Sequence, residues 1–258
     1  RIQPYSPALA TPLSNFETNQ GYKDRQDPSL TLIFPINSNE AKFKDTSILV
    51  WTTTPWTLYS NFCIVVGPDM DYNLVEADGK KYWIAASRTA AYFKNPNIVD
   101  TCKGSELVGK DYEPLSRISD AFVTPDQLSR HYKIYPADYV STEDGTGAVH
   151  TAPSFGEEDF QKGAELDLGL FDPLDTEGKF TDKVPMWKGL GAKEADKEII
   201  RYFKEQGRVF KQDVIVHSYP HCWRTGVPLI YRALKTWFLK IDEIFFMKGG
   251  RLPLAATA

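Results

Sequence analysis

The sequence predicts a β-rich α+β fold, a barrel-like or strongly bent sheet with peripheral helices. Three observations carry this expectation. Short runs of strand-forming residues recur at close intervals, turn signals separate them, and a clear helical period appears only late, around Ala192 to Phe203.

Residues 1–29 are rich in Pro, Ser, Asn and Asp and read as an extended connector leading into a main domain over 30–240. TLIFPI (31–36), SILVW (47–51), NFCIVVG (61–67), YNLVEA (72–77) and KYWIAA (81–86) follow as short strands. NSNE (37–40), PDMD (68–71) and DGK (78–80) supply the turns between them. This spacing is that of a closed or bent sheet. A short helix is expected around 87–94, then a loop-rich stretch to about residue 130. YKIYPADYVSTEDGTGAVHTAP (132–153) reads as strand, turn, strand, the second strand ending at Val149 with His150 at its mouth. Ser154 followed by Glu157 matches a capping box at the start of the next helix. Ala192, Ala195, Ile199 and Phe203 share one helical face, and Gly207 can end that helix. Residues 241–258 read as a return segment, whose final KGGRLPLAATA lacks a packing pattern and resembles an appended tail.

Of the 258 residues, 42% are hydrophobic and 25% charged, ordinary for a globular chain with a sizeable core. No apolar run of about eighteen residues occurs, so no membrane helix is expected. The N-terminal residues show no apolar signal-peptide core, and the three widely spaced cysteines read as reduced thiols of a cytoplasmic protein. Net charge is −4, from 30 Lys and Arg against 34 Asp and Glu. A protein gripping a long run of phosphates is usually basic. A nucleic-acid partner would therefore present a short end or a single nucleotide.

Two stretches carry candidate chemistry. In VWTTTPWTLYSN (50–61) the strand formers run into Pro55, so the three threonines fall where a strand enters a turn. Alternation sets Thr52 and Thr54 on one side and Thr53 on the other. Taken alone, this reads first as a threonine-rich sheet edge between two core tryptophans. In DGTGAVHTAPSFGEEDF (144–160), Gly145 and Gly147 allow close backbone approach. His150 at a strand end and Asp159 early in the following helix can look into one pocket. Taken alone, the pair reads first as a packed histidine and a solvated acidic helix start. A serine hydrolase lacks its G-x-S-x-G elbow here, and neither P-loop nor Rossmann glycine patterns occur. His217, His221 and Cys222 cluster in sequence, but zinc would need a fourth ligand that no C-x-x-C pair supplies.

Together, WTTTPWTL and GTGAVHTAP-x-x-G-x-x-D resemble the two signature segments of the editing domain of isoleucyl-tRNA synthetases, class I enzymes. The resemblance extends over nearly the whole chain. PYSPALATPLSNFE and YKDRQDPSLTL are similar to the segment entering that domain, and HSYPHCWRTGVPLIYRALKTWF to the return toward the synthetic domain. It implies an aminoacyl-tRNA deacylase that removes valine from Val-tRNA(Ile) after transfer. One methylene in an apolar pocket is worth only about 1–3 kcal/mol, a general range that isoleucine against valine in this family usually illustrates. A second, hydrolytic site therefore corrects the first. The resemblance implies that Asp159 pairs with the α-ammonium and that His150 lines the side-chain pocket and excludes isoleucine. Thr52, Thr53 and Thr54 would meet the ribose, ester or attacking water, with Asp159 completing the catalytic set. Thr151 and Trp56 are candidates for the pocket wall. The implied partners are the acceptor 3′ end of tRNA(Ile) and the remaining domains of a parent synthetase, without a membrane. No cofactor or metal is expected in this stretch. ATP and magnesium would belong to the rest of the enzyme, because His-Ile-Gly-His and Lys-Met-Ser-Lys-Ser type signatures are missing. Tyr59 stands where the pattern usually has proline, and Ser154 where glycine is common. Two alternatives remain: a valyl-type editing domain acting on threonine, and a module that binds the acceptor end without hydrolysis.

Overall fold

The computed structural model describes residues 1–236. Among them the strands are β1 (Ile2–Ser6), β2 (Thr11–Pro12), β3 (Tyr22–Asn37), β4 (Thr46–Thr52), β5 (Cys63–Val66), β6 (Asp71–Ala77) and β7 (Lys80–Ala85). There follow β8 (Asn97–Lys103), β9 (Asp111–Tyr112), β10 (Lys133–Pro136), β11 (Ala148–Thr151), β12 (Val209–Pro220) and β13 (Ile230–Ala233).

The long strand β3 organises the molecule. Its second half pairs with β4 on one side and with β9 on the other, and the ring closes as β3-β9-β10-β5-β11-β4-β3. Closure leaves these strands no free edge over their paired lengths. The remaining strands are appended: β7, β6 and β8 continue outward from β4, and β12 pairs along the first half of β3. The barrel-like, β-rich α+β architecture follows from period-two patterning. Leu30, Leu32, Phe34 and Ile36 of β3 and Ile48 and Val50 of β4 enter the main core. Leu49, one residue out of phase, instead joins Val75, Tyr82, Ile84 and Phe93 in a second cluster.

The amphipathic helix Ala192–Glu205 buries Ala195, Ile199, Ile200 and Phe203, and Gly207 follows its end at φ 67°. Against it packs a 3₁₀ turn, Pro55–Ser60, which Pro55 starts because its ring presets φ and it has no N–H to satisfy. Tyr59 lies in that interface, its ring 5.8 Å from Phe203 and 6.4 Å from Phe180. The residue that departs from the family pattern thus docks the helix rather than entering the cavity.

Four expectations need correction or placing. The boundary at residues 29/30 falls inside β3, and residues 2–6 pair with β13, Ile2 opposite Ala233. Polar residues such as Lys23, Asp24 and Arg25 masked the strand because this half of β3 lies in an exposed two-stranded ribbon with β12. His150 lies within β11 opposite Ile64, not past the strand's end, since the strand continues to Thr151 before Pro153. Ser154 is not an N-cap: Gly156 holds that place for helix Glu157–Glu165, with no side-chain cap. The Phe155 N–H donates to the Ala152 carbonyl, and this turn carries Ser154 inward, where its side chain is buried. Residues 241–258, and with them the return segment and tail, lie outside the described residues.

Candidate active site

A cavity of about 570 Å³ opens beside the end of β4 and the start of β11. Thr52, Thr53, Thr54, Trp56, His150 and Asp159 all line it, as do Trp51, Thr57, Tyr139, Asp144, Tyr219 and Tyr231. The two signature segments meet directly, since Val149 pairs with Trp51 across β11 and β4. Thr151 is fully buried and is not among the lining residues. It adjoins His150 on a strand, so the two side chains point to opposite faces.

Both glycines of the GTG run are set by geometry. Gly145 has φ 70°, and a Cβ there would stand 3.1 Å from the Trp51 ring. Gly147 has φ 78°, and a Cβ would meet that of Ala85 at 2.4 Å. Arg88 fixes the same loop by donating to the carbonyls of Gly145 (2.8 Å) and Glu143 (3.0 Å).

The hydroxyls and His150 form one directed chain of hydrogen bonds. Asn61 Nδ2 donates to the Cys63 carbonyl at 3.0 Å, which fixes the amide's orientation because that oxygen can only accept. Its second hydrogen reaches His150 Nδ1 at 2.8 Å, while Tyr112 donates its phenol to Asn61 Oδ1 at 2.6 Å. His150 Nδ1 is therefore the acceptor, and Nε2–H donates to Thr57 Oγ1 at 3.0 Å. Thr57 spends its own proton on the Thr54 carbonyl at 2.8 Å. Thr54 must then donate to Thr57 (3.0 Å), and Thr52 to Thr54 (3.2 Å). The Thr54 N–H completes the set by donating to Thr52 Oγ1 at 3.1 Å. Burial holds the His150 pKa down at about 4, so the ring is neutral at physiological pH. With both nitrogens committed, His150 is no general base in this state. Thr53, on the other side of the strand end, makes none of these bonds.

Asp159 is built differently. It is the third residue of helix Glu157–Glu165, half-buried, and its Oδ2 accepts the Ala152 N–H at 2.9 Å. Burial raises its pKa to about 6, and the Ala152 hydrogen bond opposes that shift. No ion pair to Asp159 lies within 4 Å among the described residues. A carboxylate so placed lines the cavity with acceptor capacity to spare.

Sequence reasoning missed Thr57 and Asn61. Thr57 follows Thr54 by three, the spacing that eclipses side chains in a 3₁₀ turn. Asn61 is a polar residue at the head of an apolar strand, a place that demands partners. The His217, His221 and Cys222 cluster does not converge. His217 bonds Asp27 at 2.9 Å, His221 bonds the Tyr219 carbonyl, and Cys222 packs with Leu13 and Leu229. No group of three metal-ligating side chains occurs among the described residues. None of their helices is long and apolar enough to cross a membrane.

The fold is that of a synthetase editing domain. The P. knowlesi cytosolic leucyl-tRNA synthetase editing domain superposes with TM-score 0.54 at 13% identity, over 77% of this chain and 99% of that one. The crystal structure of GlLeuRS-CP1 superposes with TM-score 0.52 at 13% identity, over 71% and 97%. Sequence comparison narrows the class: over 95% of its length the chain is homologous to one segment of isoleucine–tRNA ligases. It is 43% identical over 251 residues to that of Bdellovibrio bacteriovorus, and 42% identical over 271 residues to that of Treponema denticola. The chain spans 23% and 25% of those two relatives' lengths. No family model matches the chain.

Proposed function

We propose that this chain is an aminoacyl-tRNA deacylase, the post-transfer editing domain that removes valine from Val-tRNA(Ile). One observation carries the reading: a neutral, hydrogen-bonded histidine–threonine set and a carboxylate with no ion pair among the described residues line the same cavity. An esterified amino acid offers matching chemistry, an apolar side chain at one end and an α-ammonium at the other. Asp159 pairs with the ammonium through charge-assisted hydrogen bonds. Its binding favours the ionised carboxylate and draws the pKa back down.

Hydrolysis adds water oxygen to the ester carbonyl carbon. The carbon–oxygen bond to the ribose then breaks, the ribose oxygen takes a proton, and valine leaves. No threonine hydroxyl is free to protonate the leaving oxygen, because every hydroxyl proton of Thr52, Thr54 and Thr57 is already donated within the chain. Thr52 and Thr54 each keep a free lone pair, able to accept from the attacking water or a ribose hydroxyl. The residues thus act by position and polarity, supported by the hydroxyl of the terminal ribose. The acidic lining, with Asp144 and Asp159, suits an ammonium and a single terminal nucleotide better than a long phosphate run.

The test is deacylation by the purified chain of tRNA charged with valine, threonine or isoleucine. Valine should be released fastest and isoleucine hardly at all. Preference for threonine would assign the domain to valyl-type editing. Binding of a valyl-adenosine analogue without any cleavage would make it a binding module.

A further inference from the structure

We propose that Asp196 is a positioning residue for this site: from outside the cavity wall, it holds the turn that carries Thr54 and Thr57. The inference rests on the deacylase reading above. Asp196 is the one acidic residue on the buried face of helix Ala192–Glu205, among Ala195, Ile199, Ile200 and Phe203, and is 4% exposed. A carboxylate there replaces an apolar contact and pays desolvation. Burial accordingly lifts its pKa to about 7.

What it holds is the Trp56 N–H, at 3.1 Å from Asp196 Oδ1. The 3₁₀ turn Pro55–Ser60 begins with a proline that has no N–H, so Trp56 carries its first donor. Thr54 occupies the N-cap, where a threonine hydroxyl would ordinarily accept such a donor, yet it makes no cap bond. Its hydroxyl is committed to Thr52 and Thr57 instead. Asp196 takes over the capping from another element and leaves Thr54 to the cavity. Lys193 and Arg25, whose charges act on Asp196, are both paired with Asp27, at 3.2 and 2.9 Å. Asp196 itself has no ion pair within 4 Å among the described residues, so the Trp56 amide is its assigned task.

The test compares wild type, Asp196→Ala and Asp196→Asn in the purified chain. It reads kcat and KM for valine release and the hydrogen-exchange rate of the Trp56 amide. Asp196→Ala should lower kcat by roughly 10–100-fold with KM changed less than about twofold, and should speed Trp56 exchange. Asp196→Asn keeps the Oδ1 acceptor and should restore both to within about threefold of wild type. If Asp196→Ala fails to fold, Asp196→Ser replaces it with the same expectations. Wild-type kcat and exchange in the truncated variant would overturn the proposal. So would a folded Asp196→Asn as impaired as Asp196→Ala. A wild-type chain without deacylase activity would instead remove the functional reading. Trp56 exchange would then decide the positioning role alone.

Discussion

At His150 both ring nitrogens are spoken for: Asn61 on one, Thr57 on the other, with Tyr112 behind Asn61. At Asp159 a single backbone N–H meets a carboxylate that lines the cavity with acceptor capacity to spare. The first arrangement is neutral, with both ring nitrogens of His150 bonded, and suits the proposed wall that measures a side chain. The second is under-satisfied and stays costly until a cation arrives. A sizing surface loses nothing by being finished before the substrate binds, whereas a charge receptor gains by being left incomplete.

The largest expected break in this contrast is Asp159→Ala. It should lower kcat/KM for valine release by at least about 100-fold, since an unpaired ammonium in a desolvated site costs several kcal/mol. The melting temperature should barely fall, because Asp159 sits on a helix's first turn rather than in the core. Activity near wild type would remove its ammonium role. At the other part of the cavity, His150→Ala should leave valine release comparatively intact and raise isoleucine release about tenfold or more, within the range that one methylene commands. Unchanged discrimination would assign the sizing to another wall.

The pH dependence separates the two regions without mutation. In the proposed role Asp159 must be ionised to hold an ammonium, so kcat/KM should decline as pH falls through about 6, the free enzyme's value. The His150 ring, titrating at about 4, should keep constant NMR shifts from pH 8 to 5. A His150 titration coinciding with the activity loss would reverse the assignment. The smallest effect is on stability. The folded-state pKa of Asp159 lies above its ordinary 3.8, so wild type loses stability as pH rises from about 3.8 to about 6. Asp159→Asn, which keeps the acceptor for Ala152, should then be more stable above pH 6 by about 1–2 kcal/mol. That gain should vanish below pH 3.8, as paired thermal melts would register.

The sequence made the barrel legible because short runs of strand formers, such as Ile48, Leu49 and Val50, are separated by turn signals; that these three residues alternate between two cores shows only in the structure. The ribbon half of β3 was not legible, since its residues pair only with β12 and the ones it buries, Asp27 and Ser29, are polar. The strand end before Pro55 and the convergence of Thr52, Thr54, His150 and Asp159 were readable from turn chemistry and the two signature segments. The exchange of capping duties was not: Ser154 looks like an N-cap and is none, while Thr54 occupies one and does not cap. Both reversals are tertiary. Ser154 is turned inward by its own loop, and Thr54 is relieved by Asp196, whose partner lies 140 residues away.

The most direct measurement is a structure of the chain with a non-hydrolysable valyl-adenosine analogue. The ligand's amino nitrogen should lie within hydrogen-bonding distance of Asp159, with the valine side chain against His150 and His150 Nδ1 still held by Asn61. An amino group turned away from Asp159, or a His150 released from Asn61 to bond the ligand, would contradict this division between a finished wall and an unfinished receptor.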